Sequence, residues 1–305
     1  MLISVCVCTY NRAQMLSGCL QSLMELRTSS HFDVEIIVID NNSSDNTKDV
    51  VLRHAMDGKI RLLYFHEATQ GLSAARNRAV QEARGDYLAF LDDECIVQAN
   101  WIEIVVATIE EFQPLIIGGP YTGAIPPGNV PAWFKSEYGN AYFVAHNFSR
   151  GFQQLFRASG GNIFLHRKVF EAHHFDERFG VKGNELKLGE EIVLQNRFLS
   201  ANPNTMVFYE PQMEVAHFIL PHKMRLSYFS KRMIEAGASG YAAGHVRLLP
   251  SVARACAALV LAPFRTAFRN RKVYPFWQNY VYEKVIPIAM PPIGAAMELI
   301  QRRYR

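Results

Sequence analysis

Along residues 1–92 the apolar positions switch repeatedly between the two-residue repeat of a strand and the 3.6-residue repeat of a helix. "LISVCVCTY" alternates and is rich in β-formers, which predicts a strand ending near Thr9. In "NRAQMLSGCLQSLMEL", Leu16, Leu20 and Leu23 recur at helical spacing and predict an amphipathic helix. "DVEIIVID" is an almost unbroken apolar run ending at Asp40, as expected of a buried strand. The polar stretch "NNSSDNT" supplies N-cap residues for a second helix through "KDVVLRHAM". "KIRLLYFHE" predicts a third strand, "GLSAARNRAVQEARG" a helix closed by Gly85, and "DYLAFL" a fourth strand. Apolar strands alternating with helices imply a parallel sheet covered on both faces.

Ligands of such sheets bind beyond the carboxyl ends of the strands. Three of the predicted strands end in chemically capable residues: Thr9-Tyr10-Asn11-Arg12, Asp40-Asn41-Asn42 and Asp92-Asp93-Glu94. A common strand direction puts all three clusters on one edge. Three consecutive acids repel one another unless a cation lies among them; a solvated turn is the ordinary alternative. No GxGxxG follows the first strand and no Walker loop is present, which argues against the usual dinucleotide and phosphate-loop sites.

The chain has 305 residues, 49% hydrophobic and 20% charged, a globular composition with room for one large domain with extensions or two smaller ones. Its net charge of +4 conceals an asymmetry. Residues 221–305 carry 14 Lys+Arg against 3 Asp+Glu, a balance of +11, and leave −7 on residues 1–220. An acidic front and a basic tail are expected to meet different partners. No nucleic-acid module accompanies the basic tail, so nucleic acid is not among them. The five cysteines (Cys6, Cys8, Cys19, Cys95 and Cys256) are odd in number and form no CxxC pair, which reads as reduced thiols of a cytosolic protein. Cys6 and Cys8 are expected on one face of their strand. The chain opens directly into a strand, so no signal peptide is expected, and the sequon at Asn147 then carries no meaning.

Five stretches, in this order, resemble the family 2 glycosyltransferases of the GT-A fold: "SVCVCTYNR", "VIDNNSSDNT", "GLSAARNRAVQEARGDYLAFLDDE", "GGNIFLHRKVFEAHHFDERFG" and "GEEIVLQNR". The resemblance covers roughly residues 3–225. It implies an α/β architecture, a Rossmann-like and mostly parallel sheet flanked by helices. It also implies a domain over residues 1–225, with a nucleotide-binding half at 1–97 and an acceptor-binding half at 98–225, followed by a basic helical extension at 226–305. The implied activity is inverting transfer of a sugar from a nucleoside diphosphate, UDP foremost, to an acceptor hydroxyl. The implied setting is bacterial cell-surface polysaccharide synthesis.

Residue by residue, the resemblance assigns Thr9, Tyr10, Arg12, Asp40, Asn42, Arg76, Asp92 and Asp93 to the nucleotide. Asp40 is positioned to accept the imide N–H of uracil. A Mg²⁺ or Mn²⁺ ion bridging the diphosphate is expected on Asp93 or Glu94, either of which can be the direct ligand, since these hard ions choose oxygen ligands, with His217 either completing the metal or contacting the diphosphate. The triplet departs from the family in carrying Glu94 where Asp is usual. Glu190 and Glu191 resemble the family's second acidic motif, with Glu191 aligned to the general base; a single base and no second nucleophile point to one in-line displacement. Gly160, Gly161 and Asn162 resemble the loop under the donor sugar. Trp133, in an aromatic-rich stretch, belongs either to an acceptor wall or to the core. Two other readings stand beside this one. A sugar-1-phosphate nucleotidyltransferase would share the sheet, but "TYNRAQML" lacks its Gly-rich basic signature. A non-catalytic scaffold binding sugar nucleotides at a membrane would need no base.

The tail is read from its residues. "LLPSVARACAALVLAPF" is apolar but interrupted by Arg254 and bounded by Pro250 and Pro263. "VIPIAMPPIGAAMELI" is expected to be broken by its prolines. Both are too short to span a bilayer, which takes about 20 apolar residues. Arg247, Arg265, Arg269, Arg271, Lys272, Arg302, Arg303 and Arg305 flank them, with Tyr274, Phe276, Trp277 and Tyr280 nearby. Such segments suit the surface of an anionic membrane on its cytoplasmic side and a lipid-linked or saccharide acceptor. A helical subdomain packed on the core, or a homodimer contact, is the alternative.

Overall fold

The computed structural model describes residues 1–303 except 126, 127, 129, 136, 137, 139–147, 184, 188 and 243–247. Asn147, Arg247 and Arg305 therefore lie outside the described residues, as do the side chains of Arg302 and Arg303.

Strands β1 (Leu2–Thr9), β2 (Asp33–Asp40), β3 (Arg61–His66) and β4 (Tyr87–Asp92) alternate with helices α1 (Ala13–Met24), α2 (Thr47–Asp57) and α3 (Leu72–Glu82). They continue into β5 (Cys95–Val97), α4 (Trp101–Phe112), β6 (Ile116–Gly118), β7 (Tyr121–Ala124), β8 (Gly151–Gln153) and β9 (Asn162–His166). After these come β10 (Gly180–Lys182), β11 (Glu185–Lys187), α5 (Glu190–Ala201), β12 (Val207–Tyr209) and β13 (Val215–Phe218). An eight-stranded sheet runs in the order β3-β2-β1-β4-β9-β6-β12-β8. Its first four strands are parallel, and β9 is antiparallel to both β4 and β6. A smaller sheet pairs β5, β13 and β7.

The two-residue repeat of β1 decides what each face buries. Ile3, Val5 and Val7 pack with Leu16, Leu20 and Leu23 of α1 and with Trp101 and Val105 of α4. On the opposite face, Cys6 joins Ile37 and Ile39, Ala75 and Ala79 of α3, and Leu194 and Phe198 of α5, with Cys8 against the same cluster. The three α1 leucines are completely buried, and each contributes about 1.5–3 kcal/mol. All five thiols are free.

α3 ends at Glu82, before Gly85. Ala83 turns to extended backbone because the next two amides are taken by the sheet: Arg84 donates to Glu35 and Gly85 to Ser4. Gly85 is thus a close-approach glycine, since a Cβ there would fall 2.6 Å from the Ser4 nitrogen.

The chain forms two compact units. The first comprises Met1–Ala124, Gly139–Arg178 and Glu190–Phe218; the second comprises Ile125–Tyr138, Phe179–Gly189 and Ile219–Arg305. The second unit contains α6 (Leu226–Ala242), α7 (Leu248–Ala267) and α8 (Ile286–Arg303). The prolines expected to bound or break its apolar segments do not end the helices: α7 has Pro250 in its first turn, where proline is tolerated, and runs through Pro263, and α8 runs through Pro291 and Pro292. Packing overrides local propensity here: α6 and α8 cross at Gly237 and Gly294, where a Cβ would meet the carbonyls of Pro291 and Ile234. Among the described residues no helix is long and apolar enough to cross a membrane.

Candidate active site

Register aligns the strand ends. Thr9 pairs with Asp40, and Cys8 with Asp92, so the three polar clusters share one edge of the sheet. Loop asparagines stitch that edge together. Asn11 and Asn42 both adopt left-handed backbone (φ 51° and 67°), a region that asparagine tolerates better than most residues. Asn11 accepts from the Ser44 amide at 2.7 Å. Asn41 accepts from the Gly71 amide at 2.7 Å and donates to the Thr69 carbonyl at 2.7 Å, holding the start of α3.

The acidic triplet occupies the tight turn between β4 and β5, and each acid has an arginine near it, Arg12 serving two of them. Asp93 is buried; it accepts from the Thr9 hydroxyl at 2.7 Å and pairs with Arg12 at 3.0 Å. Burial pushes the Asp93 carboxyl up, against the pull of Arg12 and Thr9. Glu94 is also buried, 3.2 Å from His217 Nε2 and 3.5 Å from Arg12. Asp92 keeps a half-exposed carboxylate 3.6 Å from Arg76 and 3.9 Å from His217. Built-in cations therefore make the triplet tolerable, where the sequence pointed to a metal alone.

His217 bears directly on that metal. Its Nδ1 lies 3.1 Å from the Phe218 carbonyl, which can only accept, so Nδ1 carries a proton. Nε2 then faces Glu94 Oε1 and Asp92 Oδ2. A ring held by a backbone carbonyl with its other nitrogen aimed at acids is the arrangement of metal-ligating histidines. Among the described residues no group of three His, Cys, Asp or Glu forms a metal cage. A phosphate-bridging Mg²⁺ or Mn²⁺ needs only one or two carboxylates, with substrate oxygens and water completing its shell. The carboxylates of Asp92 and Glu94, beside His217, fit that smaller demand without forming a cage of their own. Asp93, expected among the ligands, has both oxygens engaged by Thr9 and Arg12.

Arg76 is buried at the centre. Its guanidinium pairs with Glu190 at 2.5 Å, donates to the Gly160 carbonyl at 2.9 Å and stacks near Phe90 and Phe175. Burial works against its charge, yet Glu190 and Asp92 outweigh that and hold its pKa above the ordinary value. Arg76, assigned to the nucleotide from sequence, pairs with both acidic motifs. Glu190 is thereby occupied, whereas for Glu191 burial first, and then Glu190 beside it, push the carboxyl up to about 7. Gln195, completely buried, exchanges bonds with both backbone groups of Ala158 and ties α5 to the glycine loop.

That loop is closely packed on the acidic motifs. A Cβ on Gly160 would fall 2.6 Å from Arg76, and one on Gly161 would meet the Asp92 carboxylate and the Tyr121 hydroxyl. The two glycines make room for Arg76 and Asp92. Asn162 is completely buried; its amide donates to the carbonyls of Pro120 and Met213 and accepts from the Trp101 indole. It anchors β9. Trp133 belongs to the second unit, where its ring packs among Phe134, Tyr138 and Tyr282.

At the nucleotide end, buried Asp40 accepts from the Ser43 amide at 2.9 Å and the Tyr64 hydroxyl at 2.8 Å. Burial and this bond push Tyr64 up to about 12. Tyr10 and Arg12, which follow Thr9 at the end of β1, stay partly exposed. Tyr64 and Gln195 were not singled out from sequence, and Asn11 and Asn41 only as members of the polar clusters at the strand ends. Only the pairing of β2 with β3 could have pointed to Tyr64, and nothing local marks Gln195.

A family model described as Glycosyl transferase family 2 matches residues 4–173. Over 249 residues the chain is 26% identical to the glucosyl-dolichyl phosphate glucuronosyltransferase of Haloferax volcanii, covering 78% of this chain and 76% of that one. The chain spans less than half the length of several other relatives it matches, 48%, 42% and 43% of three of them. Among solved structures, mannosyltransferase PcManGT from Pyrobaculum calidifontis superposes with a TM-score of 0.57 at 16% identity, over 99% of this chain and 75% of that one. S. aureus TarS 1–349 does so at 0.54 and 15% identity, over 100% and 93%. Identities this low show a shared fold, here GT-A. The family match covers more than half of the sequence and takes in β1 to β9, so this chain belongs to glycosyl transferase family 2.

Proposed function

We propose that the chain transfers a sugar, with inversion, from a nucleoside diphosphate to an acceptor hydroxyl, and that Glu191 is the general base. One observation carries the reading: Arg76 pairs with Glu190 and approaches Asp92, so donor and base motifs meet at one guanidinium while Glu191 remains available. A carboxyl with a pKa near 7 suits a base working at neutral pH. Glu191 takes the acceptor proton as the hydroxyl oxygen attacks the anomeric carbon, and the bond to the diphosphate oxygen breaks. Asp40 accepts from the base of the nucleotide, and Thr9, Tyr10, Arg12 and Asn42 line its pocket. Glu94, His217 and Asp92 would hold Mg²⁺ or Mn²⁺, which would supply charge to neutralise the leaving diphosphate.

The donor class is supported by two fold relatives, TarS in complex with UDP-GlcNAc and PcManGT in complex with GDP-Man and Mn²⁺. UDP is favoured by Asp40, whose carboxylate suits an imide N–H. A lipid-linked saccharide is favoured as acceptor by the glucosyl-dolichyl phosphate in one relative's name. The test is Glu191→Gln, which keeps the shape and removes the proton acceptor. Turnover should fall by about 10²–10⁴ with donor affinity unchanged, measured by kinetics and calorimetry over a panel of sugar nucleotides. Near-normal turnover in this variant would refute the assignment.

A further inference from the structure

Helix α7 (Leu248–Ala267) buries almost nothing. Among its described side chains only Ala255 is buried. Val260, Phe264 and Phe268, spaced four residues apart on one stripe, are 77%, 64% and 76% exposed. The rings of Phe264 and Phe268 lie 4.7 Å apart, so the stripe is continuous. Soluble surfaces rarely leave contiguous large apolar side chains in water without a partner for them. Beyond the helix, Arg269 donates to the carbonyls of Thr266, Tyr274 and Pro275. That clamp draws the following segment against the end of α7, and Phe276 and Trp277 on it are 42% and 49% exposed.

Charge says what covers the stripe. Residues 248–282 contain five Lys+Arg and no Asp or Glu. In a symmetric dimer built on this face the same patch would meet itself, setting one copy's cations against the other's. A bilayer crossing is excluded for α7, since no helix among the described residues is long and apolar enough. A surface of anionic lipid satisfies both properties at once: headgroup phosphates take the cations, and the acyl boundary takes the phenylalanines. Exposed Trp at the rim suits the same interface. We propose that α7 and the segment through Trp277 form a peripheral docking face for an anionic lipid bilayer, lying in its plane. Docking is independent of catalysis and is read without donor or acceptor.

The experiment is flotation of the full chain with vesicles of phosphatidylcholine alone, or mixed in equal parts with phosphatidylglycerol. The protein should float with the mixed vesicles, remain behind with the neutral ones, and be released as salt rises. Replacing exposed Arg265, Arg271 and Lys272 with Gln should lower the partition coefficient by about 10²-fold, at roughly fivefold per cation. Phe264→Ser/Phe268→Ser should abolish flotation while leaving the circular dichroism spectrum and melting temperature unchanged, because both rings are exposed. Failure of the intact chain to float with anionic vesicles overturns the proposal, as does equal flotation of both variants. A stable dimer that the phenylalanine variant dissociates would likewise overturn it, by giving the face to a second copy.

Discussion

Replacing Arg76 with Met tests whether one buried guanidinium holds the two acidic motifs together. Arg76 is 3% and Glu190 5% exposed, and their side chains meet at 2.5 Å. Removing one partner of a buried pair costs about 3–5 kcal/mol, because the other charge is left without compensation. The bond to the Gly160 carbonyl adds about 1 kcal/mol, partly offset by the fit of the methionine stem between Phe90 and Phe175. A net loss of about 4 kcal/mol follows. With an m-value of about 3 kcal/mol/M, the urea midpoint should drop by roughly 1.3 M. Trp101 is buried in the core of the first unit, while Trp133 and Trp277 belong to the second. A Trp133→Phe/Trp277→Phe background therefore reports the relevant unit by fluorescence alone. Arg76→Met/Glu190→Met removes both charges and should recover at least 2 kcal/mol of the summed single losses. A single-variant loss below about 1 kcal/mol, or strictly additive losses, would refute the clamp.

Three further outcomes can be checked. The kcat/KM profile, which reports the free enzyme, should rise with pH to a plateau. A base whose pKa is raised to about 7 is lost by protonation as pH falls through 7, and a bound cation can only draw that inflection lower. An inflection well above 7 would remove Glu191 from the role. Chelation with EDTA should abolish turnover and Mn²⁺ or Mg²⁺ restore it, full activity in EDTA being the contrary result. Asn162→Ala orphans the carbonyls of Pro120 and Met213 and should destabilise the chain by about 3–5 kcal/mol. At temperatures where the variant is folded, its KM for donor should be unchanged, and a raised KM would return Asn162 to the sugar.

The sequence by itself determined where the strands end and what each face buries. The alternation in "LISVCVCTY" predicts both the sorting of Val5 and Val7 from Cys6 and the arrival of Thr9 at the strand end. Parallel strands then share one carboxyl edge, so Thr9, Asp40 and Asp92 were legible as neighbours before any coordinates. Periodicity encodes burial one element at a time. It does not say which charge meets which. Arg76 and Glu190 lie 114 residues apart in the chain, and only the packing of α3 against α5 across the β4 strand end brings them to 2.5 Å. The tertiary structure likewise decided that Asp93 pairs with Arg12, that Gly161 yields its space to Asp92, and that Asn162 serves three backbone and side-chain partners in the core. The same holds for the prolines of α8, which local propensity counts as breakers and the Gly237–Gly294 crossing accommodates. A hydrogen bond or ion pair depends on position to within a few tenths of an ångström, and that position is a property of packed elements rather than of any one stretch of chain.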